Sequence, residues 1–275
     1  MAEFSSDEPS VTSQSRKEGG EGGSWSQAAP HYAGRLATST VNAAKKMVNM
    51  ALELKPPATP AESSQAPSRV LDAGAGSGAI TETVRALDPD VPIVAVDKAP
   101  GMVEFLARKD IAGVTTGVAD ATVMVDQGPG QGQGHDEVLV PEGGFTHAFA
   151  ALVVQFCGDR QQDLLTELFR AVVPGGVAGA SITRDITIGE PWHRACERLL
   201  LATPDSDGQY RRFPTHDAPP AWMSTDQVEA GMRAAGFREI RTASLRLEFT
   251  WPSAGDYVRF WFEGGHPGLR KEMRG

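Results

Sequence analysis

The sequence predicts an α/β protein built on an open, doubly wound sheet, and three observations predict it. From Arg69 onward, short apolar runs alternate with amphipathic stretches, which is the pattern of βαβ units. The first run, Val70–Asp72, leads directly into three closely spaced glycines, Gly74, Gly76 and Gly78. The second run ends on a carboxylate, Asp97. Parallel strands need a crossover helix between them, and the amphipathic stretches supply one after each run.

Residues 1–23 are polar and rich in Ser, Glu and Gly, so they bury too little surface to offset the entropy of ordering and are expected to be a disordered tail. Residues 24–68 change character. Trp25 and Tyr32 precede Arg35–Leu54, whose apolar groups recur at helical spacing, and the Pro-rich stretch 55–68 stops that helix. This part reads as an N-terminal helical lid and linker. The core, 69–275, is read with strands at Val70–Asp72, Pro92–Val96, Val114–Val118, Phe145–Val153 and Gly176–Ile182. Helices fall at Gly78–Leu87, Gly101–Lys109 and Asp159–Val172, with Asp159 placed to cap the last of them.

A glycine-dense stretch without periodicity, Gln127–Gly144, marks an inserted surface loop. Residues 185–223, with a helix at Glu190–Leu201, are expected to form a small helical cap. Ser224 and Gln227 have capping-box spacing ahead of a helix through Ala235, with Gly236 as its stop. Glu239–Thr250 alternates like a strand, which would add an antiparallel edge to a Rossmann-like sheet of about seven strands, and Ser253–Phe262 reads as a last helix.

At 275 residues, 40% hydrophobic and 22% charged, the chain suits one catalytic domain with an elaboration. A net charge of -9 argues against a broad phosphate-binding surface, so nucleic acid is excluded as a partner in favour of a small molecule. No apolar run is long enough to span a membrane. Two cysteines, Cys157 and Cys196, make neither a disulfide framework nor a zinc site, and a cytoplasmic monomer or homodimer without metal is expected.

The chemistry concentrates after the first three strands. A nicotinamide fingerprint reads G-x-G-x-x-G, with the pyrophosphate on the helix N-terminus. Here the spacing is G-x-G-x-G and position 79 is Ala79. Asp72, just before the turn, would repel a diphosphate, yet suits an ammonium group. Asp97 is placed to accept from both hydroxyls of a ribose. Asp120, followed by Ala121, closes the third strand, where it can accept from an adenine amino group, and Met102 beside Gly101 can pack on the adenine. Ala75, Lys98 and Tyr32 complete the expected cofactor set. Together these features favour S-adenosylmethionine.

On VLDAGAGSGAI (70–80), VAVDKAPGM (94–102), ADA (119–121), AFAALVVQF (148–156) and LFRAVVPGGVAGASI (168–182), the sequence resembles the class I S-adenosylmethionine-dependent methyltransferases. The similarity is to their small-molecule branch with a ubiquinone/menaquinone-methylase-like core, and its texture is also similar to fungal secondary-metabolite methyltransferases. The resemblance implies that Gly74 and Gly76 cradle the methionine and ribose, Asp97 holds the ribose, and Asp120 with Ala121 brackets the adenine. It implies methyl transfer to an O, N or S atom of a small apolar or aromatic metabolite. A methyltransferase-like regulatory or scaffold protein, or a non-methylating enzyme on the same fold, is the alternative.

In-line displacement from a sulfonium needs alignment and exclusion of water more than a strong base. If a base acts, His193 leads among the histidines, against a surface role; His147, near the start of the fourth strand, reads as structural. Gln155 and Phe156 lie at the productive end of the fourth strand, Arg184 after the fifth, and Trp192 and Trp222 in the cap region. With Trp25 they form the candidate acceptor pocket, while Trp25 and Tyr32 either close over the cofactor or merely pack on the domain.

Overall fold

In the computed structural model, residues 25–26, 29, 37–56, 68–124, 138, 140–184 and 224–262 are described. The expectations placed on the tail, on Tyr32, on most of the glycine-dense insertion and on the cap with Trp192, His193 and Trp222 lie outside them.

Helix α1, Ala37–Leu54, turns Ala44, Val48 and Ala51 inward at spacings of four and three, one face of a helix. Strand β1, Val70–Ala73, is buried at every position, as a strand covered on both faces must be. Then follow α2 (Ala79–Leu87), β2 (Ile93–Asp97), α3 (Pro100–Ala107), β3 (Val114–Val118), β4 (Phe145–Ala150), a single 3-10 turn at Val154–Phe156, α4 (Gln161–Ala171) and β5 (Val172–Ala180). Two C-terminal helices complete the described chain, α5 (Thr225–Ala235) and α6 (Ala254–Phe262).

The strands form one sheet in the order β3-β2-β1-β4-β5, and every pair is parallel. β1 carries the chain outward to β3 on one side, and β4 restarts on its other side. The order therefore reverses between β1 and β4, and a crevice opens there at the carboxyl ends of the strands. Below it, Leu71, Val94, Phe145 and Ala148 pack against Leu164, Leu165 and Leu168 of α4. On the other face, Val48 and Ala51 of α1 pack with Ile80, Val84 and Phe149. Burial of each Leu, Ile or Phe contributes about 1.5–3 kcal/mol.

Helix ends follow the local chemistry. Ser224 caps α5 by accepting from the Gln227 N–H at 3.3 Å, and Gly236 ends it in a left-handed conformation, φ 119°. Asp159 does not cap α4: Arg160 occupies the N-cap without a side-chain bond, because the chain makes a tight turn through Gly158 (φ 61°) first.

The sheet differs from expectation at its outer edge. Among the described residues it has five strands, all parallel, and no antiparallel edge. Residues 239–250 alternate in sequence but form no strand, and most of them from 238 to 248 are exposed. They line a cleft of about 2320 Å³ together with β5 and pair with no strand. Alternation alone does not dock a strand; the partner edge has to be within hydrogen-bonding distance. β4 also ends at Ala150 rather than Val153, because Leu152 takes φ 59° and breaks the pleat.

Candidate active site

The glycine turn owes its three residues to different causes. All have left-handed backbones, with φ 74° at Gly74, 53° at Gly76 and 95° at Gly78. A Cβ on Gly74 would stand 2.6 Å from Val153, and one on Gly78 2.5 Å from Leu106, so these two glycines admit neighbouring side chains. A Cβ on Gly76 would meet nothing within 4 Å. That glycine leaves open space above the turn.

Asp97 holds the turn in place. Its Oδ2 accepts from the Gly76 N–H at 2.8 Å, and its Oδ1 from the Ala99 N–H at 2.8 Å. A carboxylate accepts about four hydrogen bonds, so each oxygen retains capacity for a ribose hydroxyl. Burial raises its pKa, against the pull of the two backbone donors. Asp72 lies beneath, almost fully buried. Its Oδ2 accepts from the Thr81 N–H at 3.1 Å and the Thr81 hydroxyl at 2.7 Å, tying β1 to the first turn of α2. Burial pushes its pKa up to about 7; the Thr81 bonds oppose the shift and the Asp97 charge adds to it.

After β3, Asp120 makes a tight local turn. Its Oδ1 accepts from the Thr122 N–H at 2.9 Å and the Thr122 hydroxyl at 2.7 Å, while Oδ2 lies 3.7 Å from Arg160 Nη1. Ala121 beside it is buried. Met102 is buried under Trp25 and Ala29 in a cluster with Ala99 and Phe105. Lys98 follows Asp97 in the chain and is half-buried, and Ala75 packs with Ala95 and Leu106.

On the other side of β1, the ends of β4 and β5 are stitched together by side chains. The Leu152 N–H donates to Ser181 Oγ at 3.0 Å, Gln155 Nε2 donates to the Thr183 hydroxyl, and the Thr183 N–H donates to Gln155 Oε1 at 3.3 Å. Arg184 follows directly and is exposed. Phe156 meets Trp25 edge-on, ring centroids 5.2 Å apart at 74°. The structure thus brings Trp25, Gln155, Phe156 and Arg184 to the carboxyl ends of β4 and β5. Sequence reading missed Ser26, Leu152, Ser181 and Thr183. Only the two residues after β5 carried a signal, being polar just past an apolar strand; the other two act through contacts far apart in sequence.

His147 lies at the opposite end of the sheet. Its Nε2 faces the Lys55 carbonyl at 3.0 Å, which can only accept, so Nε2 carries a proton, and Nδ1 lies 3.0 Å from the Thr146 hydroxyl, which donates to the Arg69 carbonyl at 3.1 Å. Burial lowers its pKa. It is a structural histidine.

The open cradle at Gly76 and the spare lone pairs of Asp97 fit S-adenosylmethionine, and the G-x-G-x-G spacing departs from that of a dinucleotide turn. Among the described residues, no group of three or more His, Cys, Asp or Glu could hold a metal ion, and no described helix is long and apolar enough to cross a membrane.

A family model described as a methyltransferase domain matches residues 71–179, the glycine turn and the sheet around it. The chain is 31% identical over 217 residues to a trans-aconitate 2-methyltransferase of Methylobacterium nodulans, covering 76% of this chain and 68% of the relative. It is 28% identical over 191 residues to a malonyl-[acyl-carrier protein] O-methyltransferase of Methylococcus capsulatus, 68% of this chain, and spans 58% of that relative's length. Among solved structures, it is similar to a chain of a Haloferax volcanii methyltransferase complex with the Trm112 activator, at TM-score 0.49 and 17% identity over 90% of this chain and 91% of that one. It is also similar to the amino pentose methyltransferase CalS10 of Micromonospora echinaspora, at TM-score 0.38 and 20% identity over 52% of this chain and 51% of that one. On the match to the domain model and to the Methylobacterium relative, the chain belongs to the class I methyltransferase family whose cofactor is S-adenosylmethionine.

Proposed function

We propose that this protein transfers a methyl group from S-adenosylmethionine to an oxygen atom of a small acceptor that carries a carboxylate. The observation that carries the methyl-transfer reading is the glycine turn with its open face at Gly76, held by an Asp97 that keeps accepting capacity on both oxygens. Bound in that cradle, S-adenosylmethionine supplies an electrophilic methyl on a sulfonium; the acceptor oxygen forms the new bond to carbon while the carbon–sulfur bond breaks and its electron pair passes to sulfur.

The chain's own residues do the positioning. Asp97 takes the ribose, Asp120 and Ala121 border the adenine, Met102 and Lys98 flank that site, and Asp72 biases the methionine end toward its ammonium. The edge-on pair of Trp25 and Phe156 offers an apolar wall to the acceptor and sheds water from the reacting atoms. Gln155, Thr183 and Ser181 form a polar floor beside it, and Arg184 adds a guanidinium that suits a carboxylate. Tyr32, Trp192, Trp222 and the base candidate His193 lie outside the described residues.

The oxygen and the carboxylate are supported by the relatives' names, one an O-methyltransferase of a malonyl group and the other acting on trans-aconitate, a tricarboxylic acid. The test is transfer of labelled methyl from S-adenosylmethionine to a panel of carboxylic acids, phenols, amines and thiols. A base-labile methyl ester formed only on carboxylic acids supports the proposal; label on nitrogen or sulfur alone overturns it.

A further inference from the structure

The turn after β3 is tied to helix α4 in two ways. Ala121 and Met124 are buried in one cluster with Leu164, Leu165 and Leu168 of that helix, which seats the backbone of the turn. Arg160, at the N-cap position of the same helix, adds polar contacts. Its Nη2 donates to the Thr122 carbonyl at 3.2 Å, its Nη1 stands 3.7 Å from Asp120 Oδ2, and its Nε donates to Asp163 Oδ2 at 3.0 Å. Three nitrogens of one rigid fork thus meet three partners, and two of those partners belong to the turn.

The two oxygens of Asp120 differ. Oδ1 accepts from both the N–H and the hydroxyl of Thr122 and is committed to the turn. Oδ2 accepts no hydrogen bond among the described residues and is the oxygen left for a ligand. Stability does not require the guanidinium beside it. The Arg160 and Asp120 side chains are 39% and 44% exposed, and an ion pair so open to water contributes little. What Arg160 fixes is direction. With Oδ1 bonded to Thr122 and the Thr122 carbonyl bonded to Arg160, the carboxylate cannot turn without breaking one of these bonds.

We propose that Arg160 is a positioning residue for base recognition: it holds Asp120 Oδ2 where it accepts from the 6-amino group of the cofactor's adenine, and so sets the preference for adenine over a 6-oxo purine. This rests on the reading that the crevice takes S-adenosylmethionine with Asp120 on the adenine. A 6-oxo group in that place would set one acceptor against another.

The experiment titrates the full chain calorimetrically with S-adenosylhomocysteine and with S-inosylhomocysteine, and reads the ratio of the two affinities. Both ligands are compared on the same variant, so any loss of folded protein cancels from the ratio. The wild type is expected to prefer adenine by on the order of tenfold, the size of effect of one hydrogen bond to a charged acceptor. Arg160→Ala is expected to cut that preference to about threefold or less. Asp120→Ala should abolish it, and adding Arg160→Ala to Asp120→Ala should change the ratio no further, because the first residue acts through the second. A ratio in Arg160→Ala equal to that of the wild type, or a further change in the double variant, overturns the positioning role. A preference that survives Asp120→Ala, or a wild type that binds both ligands equally, removes Asp120 from the adenine and the proposal with it. A wild type that binds neither ligand overturns the cofactor reading instead, so the failures are distinct.

Discussion

The amino and carboxyl ends of the same sheet use buried polar groups in opposite ways. At the amino end, His147, Thr146, Arg69 and Lys55 use one another up: the His147 ring joins the Thr146 hydroxyl to the Lys55 carbonyl, and the Thr146 hydroxyl also accepts from the Arg69 N–H at 3.1 Å. At the carboxyl end, Asp97 spends one bond on each oxygen and keeps the rest, Gly76 opens onto space, and Leu152 is held at φ 59°. The first arrangement stabilises the fold and offers nothing to a ligand. The second stores unsatisfied capacity and backbone strain where a ligand can use them.

The largest effect that would sharpen this contrast comes from Asp97→Ala. It removes both ribose acceptors and the anchor of Gly76, so affinity for S-adenosylhomocysteine should fall by on the order of 100-fold, about 2.7 kcal/mol. Stability should change much less, because Asp97 is itself held at a raised pKa by burial. Calorimetric titration alongside thermal melting checks both; an unaltered affinity would remove the carboxylate from the cofactor site.

His147→Leu tests the other end and should show the mirror image. It leaves the Lys55 carbonyl without its imidazole partner while the Thr146 hydroxyl keeps its bonds to Arg69, a cost of about 1–2 kcal/mol in stability, with binding of S-adenosylhomocysteine unchanged. The pH dependence carries a sign. Burial lowers the His147 pKa below its ordinary 6.5, so the unfolded chain binds more protons below that value and stability falls as the pH drops through it. Denaturant titrations from pH 5 to 8 should lose this acid limb in His147→Leu.

Gly76→Ala asks for less. Its methyl meets no atom, but its φ of 53° disfavours any L side chain, so stability should fall by about 1 kcal/mol. The methyl also enters the cradle, and cofactor affinity should fall by on the order of tenfold. Both losses together mark a ligand-facing glycine; loss of stability alone would make Gly76 a turn residue and nothing more.

The same contrast explains which parts of the molecule the sequence discloses. The Ser224 cap and the five parallel strands rest on contacts between near neighbours or on burial periodicity, both written locally, and the glycine turn and Asp97 are legible from their places at the ends of β1 and β2. Ser26 on Gly101, Gln155 on Thr183 and Leu152 on Ser181 join residues 28 to 75 positions apart, and no local pattern encodes them. Residues 239–250 show the reverse error, since their alternation is local and the pairing it suggests depends on an edge the chain does not reach. Asp120 lies between these cases: its place after β3 is legible, but its pairing with Arg160, which heads α4, is not.

The smallest effect concerns a single proton and turns on Asp72. Its pKa stands near 7, raised from 3.8 chiefly by burial. Between those values the folded, cofactor-free chain binds more protons than the unfolded one, so this residue's contribution to stability falls as the pH rises from 4 toward 7, opposite in sign to His147. A cationic sulfonium and ammonium placed above the turn favour the ionised carboxylate and lower that pKa. Binding of S-adenosylmethionine at pH 6.5 should therefore release a fraction of a proton, read by calorimetry in two buffers of different ionisation enthalpy. The release should vanish at pH 9, where Asp72 is already ionised, and in Asp72→Asn at any pH. A release that persists in Asp72→Asn would assign the proton to another group and leave Asp72 as a tie between β1 and Thr81 alone.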